Sequence, residues 1–439
     1  MPRARSTSIP PTPPPSQGGL NRQLRHWLGR MLRCLAPAVG VSAAACRSER
    51  YRKHFDAFQH TCLLLFHGLS GHTSLRQSYA SFADCRGLVA LADLAVDGDD
   101  ERLGVSFSQV AASNSSRPAA FLSGLIPALV TQVRQGAPRG DLALPADLTL
   151  IDATVLRLSV KLAPWLTQKS GWRRPTGVRV QTQYAPAWDL PEHVVVSTAT
   201  NDYRGLDELV LDDPQHLMAL RGHTLVVDLG YYCHRRFARL AEAGVHWVTR
   251  RLPAATVTVV ASEPVQASLP ELAPPRITVL SDQRVTLGSG NNRAGAVLGN
   301  VRLVAAQVVP LPAAARLGKG PVVYEVLTDR WDLTATDVVQ LYLWRWQIEL
   351  FFRWLKSHVH LTQLLGYSQN AVELSVALAL IVHLLTLLAA QALGMARRSP
   401  SLLCRIASAL AGIRPGDWGT AAKEARQLSL LELAPIPPD

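Results

Sequence analysis

Apolar residues recur every three or four positions from residue 21 to about residue 135, a helical period. Residues 20–35 form an amphipathic stretch carrying Arg22, Arg25, Arg30 and Arg33. Residues 51–69 keep the spacing, and Ser74-Leu-Arg-Gln-Ser-Tyr continues it. From Asp147 the pattern becomes strand-like: residues 148–160 (LTLIDATVLRLSV) are rich in apolar and β-branched side chains, and strands are expected at 178–184, 193–198 and 224–227. A helix over 233–243 should follow, stopped by Gly244, with a strand at 246–249. Three successive strands and then a strand–helix–strand unit predict a mixed sheet covered by helices.

Residues 252–320 alternate short β-like runs (256–261, 276–280, 295–309) with Gly, Pro and Asn turns such as Gly288-Ser-Gly-Asn-Asn, and predict an all-β insertion. A strand at 322–327 comes next. Thr334 and Asp337 have the spacing of a capping box and should open a helical region toward Lys356. Residues 374–393 are almost continuously apolar, long enough to cross a bilayer. They include Ser375, His383, Thr386 and Gln391 and have no partner span, so a buried core helix is expected and no membrane partner. The first 20 residues are Pro-rich without an apolar core and read as a disordered leader, not a secretory signal.

Composition narrows the function. At 48% hydrophobic residues a wholly disordered chain is excluded. The net charge is +12, and only six of the 45 basic residues are lysine. An arginine surplus of this size points to a polyanion or an anionic membrane as partner, because the planar guanidinium matches phosphate geometry. Six cysteines without CxxC spacing or a zinc-ligand pattern argue for free thiols in a reducing compartment.

The richest chemistry lies in LYLWRWQIELFFRWLK, residues 341–356. On one continuous helix, with Tyr342 at 0°, Arg345 falls at about −60°, Glu349 at about −20° and Lys356 at about −40°. Trp344, Ile348, Phe351 and Leu355 would form the opposite, apolar face. The polar row is about 21 Å long at 1.5 Å rise per residue. Only Arg345 is placed to pair with Glu349, so Lys356 needs another anion, such as a nucleic-acid phosphate. The alternative is a solvated face with weak salt bridges. Asp152 and Asp228 each sit in or at the end of a hydrophobic run (LTLIDATVL and TLVVDLGYY), where a carboxylate is costly unless a cation offsets its desolvation. Two such aspartates and a helix-borne glutamate supply three hard oxygen ligands, suited to Mg²⁺ or Mn²⁺.

These residues carry a family resemblance. Tyr342-x2-Arg345-x3-Glu349-x6-Lys356 resembles the Y-R-E-K signature of bacterial insertion-sequence transposases of the IS-four family. Asp152 in LIDAT and Asp228 in VVDLGYYCHRRFARLAEAGVHWVTR resemble that family's first and second catalytic aspartates. The resemblance runs from about residue 147 to 393. It implies an α/β fold with an RNase H-like mixed-sheet catalytic core and an all-β insertion, to which the helical period of residues 21–135 adds an expected helical N-terminal domain. The expected organisation is a leader (1–20), a helical DNA-binding domain (21–137), the core's first part (145–251), the insertion (252–320), the core's second part (321–395) and a helical tail (396–439). Asp152, Asp228 and Glu349 would be the catalytic residues and the ligands of two Mg²⁺ ions, with Mn²⁺ able to substitute. Tyr342, Arg345 and Lys356 would contact DNA. The implied activity is cut-and-paste transposition: metal-dependent hydrolysis at terminal inverted repeats, then strand transfer into target DNA. The implied partner is double-stranded DNA bound by a homodimer, in the bacterial cytoplasm at the nucleoid.

The main rival is an RNase H-like metal-dependent nuclease that cleaves without strand transfer. A DNA-binding protein that has lost catalysis would lack a carboxylate, and none is missing. A two-carboxylate glycosidase would leave Tyr342, Arg345 and Lys356 unexplained.

Overall fold

The alternating run that begins at Leu148 becomes the first strand of a large mixed sheet. The computed structural model describes residues 17–48, 55–96, 103–139, 144–159, 161–168, 177–198, 202–265, 276–288, 297–309, 320–395, 397–414 and 417. They divide into two units, residues 1–128 with 377–439, and residues 129–376.

In the second unit the described strands are β1 (Leu148–Arg157), β2 (Gly177–Ala185), β3 (Leu190–Ser197), β4 (Thr224–Val227), β5 (His246–Arg250), β6 (Val257–Glu263), β7 (Arg276–Leu287), β8 (Leu298–Val309) and β9 (Val322–Thr328). They form one sheet in the order β3-β2-β1-β4-β5-β9-β8-β7-β6. β1 pairs antiparallel with β2, and β2 with β3. β1, β4 and β5 run parallel to one another. All four residues of β4 are buried, as a parallel strand flanked on both sides requires. The crossover from β4 to β5 is the helix His234–Glu242, ended by Gly244 at φ +74°. Its Phe237 stacks on Trp247 of β5 with ring centroids 4.4 Å apart.

The β-like segment after residue 252 supplies β6, β7 and β8, and these do not stand apart from the main sheet. β9 pairs with β5 on one side and β8 on the other, so the sheet continues through them. One hydrophobic cluster holds Ile151, Val227 and Trp247 together with Val285, Leu303 and Leu327. β7 runs to Leu287, well past the residue 280 expected from sequence. The turn expected over residues 288–292 lies outside the described residues apart from Gly288.

Three short elements between β3 and β4 have no counterpart in the sequence pattern: a helical turn at Asp202–Leu206, a π-helical turn at Asp207–Leu211 and the helix Pro214–Ala219. Each is too short to show a periodicity. A second departure falls at the motif: the helix expected to run unbroken toward Lys356 is two helices, Ala335–Trp344 and Trp346–Ser357. At Arg345 the ladder tightens to i→i−3 bonds: the Arg345 amide donates to the Tyr342 carbonyl, and the Ile348 amide to the Arg345 carbonyl. The Thr334–Asp337 capping box opens the first of these helices, as its spacing predicted.

The first unit is helical. Its helix Gln17–Ala45 buries Leu24, Leu28, Leu32, Leu35 and Val39 at helical spacing while Arg22 and Arg30 stay exposed. Residues 17–20, expected in the leader, belong to this helix; residues 1–16 lie outside the described residues. The apolar helix Gln369–Leu393 has 78% of its most hydrophobic window buried. A Cβ on Gly68 would stand 3.0 Å from Val382 of that helix, so the helix Ala57–Ser70 crosses it closely. In the tail, a helix spans Pro400–Ala411, and residues 418–439 lie outside the described residues.

Candidate active site

β1 and β4 run parallel with Ile151 opposite Val227, so one further residue along each strand brings Asp152 beside Asp228. Asp152 is still on β1, opposite Thr182 of β2, and its Oδ1 accepts a 2.8 Å hydrogen bond from the Ala153 amide. Asp228 caps the end of β4 and opens a short 3₁₀ turn, Leu229–Tyr231. This turn approaches its neighbours tightly. A Cβ on Gly230 would come within 2.7 Å of the Asp202 carboxylate, which is itself bound to Arg179 at 2.5 Å. Tyr231 is buried and donates to the Gln181 side-chain carbonyl at 2.6 Å.

The third carboxylate, Glu349, lies one turn into the helix Trp346–Ser357. Arg345 joins it to the other two. Its Nη2 donates to Glu349 Oε1 at 2.7 Å, its Nη1 to Asp152 Oδ2 at 3.4 Å, and its Nε lies 3.9 Å from Asp228 Oδ1. Three carboxylates from β1, the end of β4 and a helix therefore surround one guanidinium whose side chain is 16% exposed. The i,i+4 pairing of Arg345 with Glu349 follows from helical spacing alone; the contact with Asp152, 193 residues away, does not.

Electrostatics follow from this crowding. Burial pushes the Asp152 carboxyl up to about 6, against the opposing pull of the Ala153 amide and Arg345. Burial works against the Arg345 charge as well, but Asp228, Tyr342, Asp152 and Glu349 outweigh it and hold the guanidinium above its ordinary range. Tyr342 is only 4% exposed, and its hydroxyl donates to Asp228 at 3.1 Å. Burial and the Asp228 charge push that phenol up to about 12. In this DNA-free structure Tyr342, expected at the DNA, has a buried ring and a hydroxyl bonded to Asp228.

Lys356 lies beyond this cluster, half-buried near the end of the same helix. Burial and the nearby Arg157 guanidinium lower its pKa. Arg157, exposed at the end of β1, had no signal in the sequence, because only the sheet brings it near Lys356. Among the described residues neither cation has an ion-pair partner.

The donor set suits a hard divalent cation: all oxygen, all carboxylate, and held at one edge of the parallel strands. Among the described residues no three His, Cys, Asp or Glu side chains are close enough to share one ion. The carboxylates stand at the span of a guanidinium, not at the 2.0–2.1 Å of a magnesium shell. The ligand chemistry fits a hard cation, and in this structure the Arg345 guanidinium lies between the three carboxylates.

Residues 144–385, more than half of the chain, match the family model described as the transposase DDE domain. The chain is 27% identical over 286 residues to a putative transposase, y4zB, of Sinorhizobium fredii, covering 64% of this chain and 71% of that one. It is 24% identical over 331 residues to a probable transposase for the insertion sequence element IS5377 of Geobacillus stearothermophilus, covering 75% and 78%. A solved piggyBac transposase synaptic complex with hairpin DNA aligns loosely, with a TM-score of 0.38, 11% identity and coverage of 94% and 86%.

Proposed function

The chain belongs to the DDE-domain transposases, and from that premise we propose that it cuts and joins the ends of an insertion sequence, using Asp152, Asp228 and Glu349 as its catalytic carboxylates. The observation that carries this reading is their convergence on one cation, Arg345, from three separate elements. The Tyr342–Arg345–Glu349–Lys356 spacing supports placement in the IS-four group, and the β3-β2-β1-β4-β5 part of the sheet supports an RNase H-like core.

The proposed reaction is in-line phosphodiester hydrolysis. A water oxygen bonds to phosphorus, the bond from phosphorus to the 3′ oxygen breaks, and that oxygen leaves as a 3′-hydroxyl after taking a proton. In strand transfer the freed 3′-hydroxyl attacks a target phosphate in the same way. Two Mg²⁺ ions, or Mn²⁺, held by the three carboxylates would supply the Lewis acidity that activates the nucleophile and stabilises the leaving oxygen. The protein's own groups set the geometry. Tyr342 orients Asp228 through its hydroxyl, and the Ala153 amide orients Asp152. Arg345 and Lys356 offer cations to DNA phosphates, with Arg157 beside Lys356. The exposed arginines of the helical N-terminal domain add salt-dependent affinity for the inverted repeats. Pairing of two ends calls for a homodimer on DNA.

The test is Mg²⁺-dependent cleavage of a labelled duplex carrying the element's own ends, with Asp152→Ala alongside. Nicking at the repeat boundary that disappears in the variant is expected, with a joined product when target DNA is added. Cleavage without joining would favour the nuclease; specific binding without metal-dependent cleavage would sink the catalytic assignment. At the second cation site, Lys356→Ala should weaken end binding and flatten the dependence of log K on log salt by about one unit. An unchanged slope in a salt titration would place Lys356 off the DNA.

A further inference from the structure

The position of Arg345 raises a question that its proposed DNA contact does not answer. Its guanidinium fills the space between the three carboxylates, so it and a metal ion cannot occupy that space together. Three acidic groups this close repel one another, and one internal cation offsets only part of that repulsion. The arginine is held incompletely: Nε is buried without a hydrogen-bond partner, and its 3.9 Å approach to Asp228 is too long for a hydrogen bond. The residue also stands at the break between two helices, where its backbone is not locked in a continuous i→i−4 ladder. A phosphate offers the same side chain a planar, bidentate alternative to its present partners.

We propose that Arg345 is a stand-in cation, holding Asp152, Asp228 and Glu349 together in the ion-free, DNA-free protein and surrendering the site when a DNA phosphate takes its guanidinium. It is thus a positioning residue in the resting state and a gate on metal loading. Binding of DNA and of divalent ions are then positively coupled: each clears or fills the space the other needs, and by linkage the effect is reciprocal. The inference rests on the catalytic role proposed for the three carboxylates. It adds an order of events, in which the protein resists metal until DNA is seated.

The test measures Mn²⁺ affinity of the full chain by the paramagnetic resonance signal of the free ion, without and with a duplex carrying the element's end. The proteins are wild type, Arg345→Ala, Arg345→Lys and Asp152→Ala. Without DNA, Arg345→Ala should bind Mn²⁺ about tenfold more tightly than wild type, within the usual range of such coupling. Its unfolding midpoint in chelator should fall, and Mn²⁺ should restore it. Duplex should tighten Mn²⁺ binding by wild type and leave Arg345→Ala unchanged. Equal or weaker Mn²⁺ binding by Arg345→Ala, or no effect of duplex on wild type, would overturn the stand-in role while leaving the catalytic assignment intact. Mn²⁺ binding that survives Asp152→Ala at full strength, or that no protein shows, would overturn the catalytic assignment itself. Should Arg345→Ala fail to fold, Arg345→Lys and the wild-type duplex comparison decide the matter, because lysine keeps the charge but cannot span three carboxylates.

Discussion

Glu349→Gln is expected to cut the rate of end cleavage by at least about 10³-fold, while affinity for the same duplex stays within about threefold. The substitution keeps the side chain's shape and one oxygen acceptor but removes the negative charge that a divalent ion needs. It also exchanges the 2.7 Å charge-assisted bond to Arg345 for a neutral one. No phosphate-contacting cation is removed, so DNA affinity should survive. Single-turnover cleavage of labelled ends, beside a gel-shift titration of the same duplex, reads both quantities. A binding loss as large as the cleavage loss would make Glu349 a structural partner of Arg345 and not a catalytic group.

Replacing Arg302 by methionine should destabilise the protein by about 3–5 kcal/mol, the usual cost of leaving one member of a buried ion pair alone. Arg302 on β8 and Asp282 on β7 have side chains only 8% and 7% exposed, and the guanidinium binds both carboxylate oxygens, at 3.0 and 2.7 Å. The same guanidinium donates through Nη1 to the carbonyls of Arg330 and Leu333. Those carbonyls belong to the link between β9 and the helix that carries Tyr342. Removing the arginine strands a carboxylate that is only 7% exposed and frees two carbonyls at once. Urea denaturation should show the loss as a lower midpoint with little change in slope. The double variant Arg302→Met with Asp282→Leu should recover most of it, because no charge is then left unpaired. A single variant as stable as wild type would mean that water reaches Asp282.

Much of the site was legible because its signals are local. Arg345 and Glu349 are four residues apart, and helical periodicity alone makes them neighbours. Asp152 and Asp228 stood out because a carboxylate beside apolar strand residues is costly when buried; burial does raise the Asp152 carboxyl, whereas the Asp228 side chain, just past the end of its strand, is 41% exposed. Gly244 as a helix stop and Thr334 with Asp337 as a capping box likewise depend on residues within a few positions.

What escaped the sequence depended on partners far along the chain. Uniform periodicity placed Tyr342, Arg345, Glu349 and Lys356 in one row. The packed structure breaks the helix at Arg345 and turns Tyr342 onto Asp228, 114 residues away. Arg157 comes near enough to lower the Lys356 pKa only because the helix Trp346–Ser357 packs on β1. The sequence by itself determined most of the strands and the longer helices, and singled out Asp152 as a carboxylate that burial perturbs, since both are set by side-chain type and near-neighbour spacing. Only the tertiary structure decided that β6 to β9 extend the central sheet, that Arg302 and Asp282 pair inside it, and that one guanidinium joins Asp152, Asp228 and Glu349. Each of these is a balance of burial against charge between segments that the chain does not place side by side.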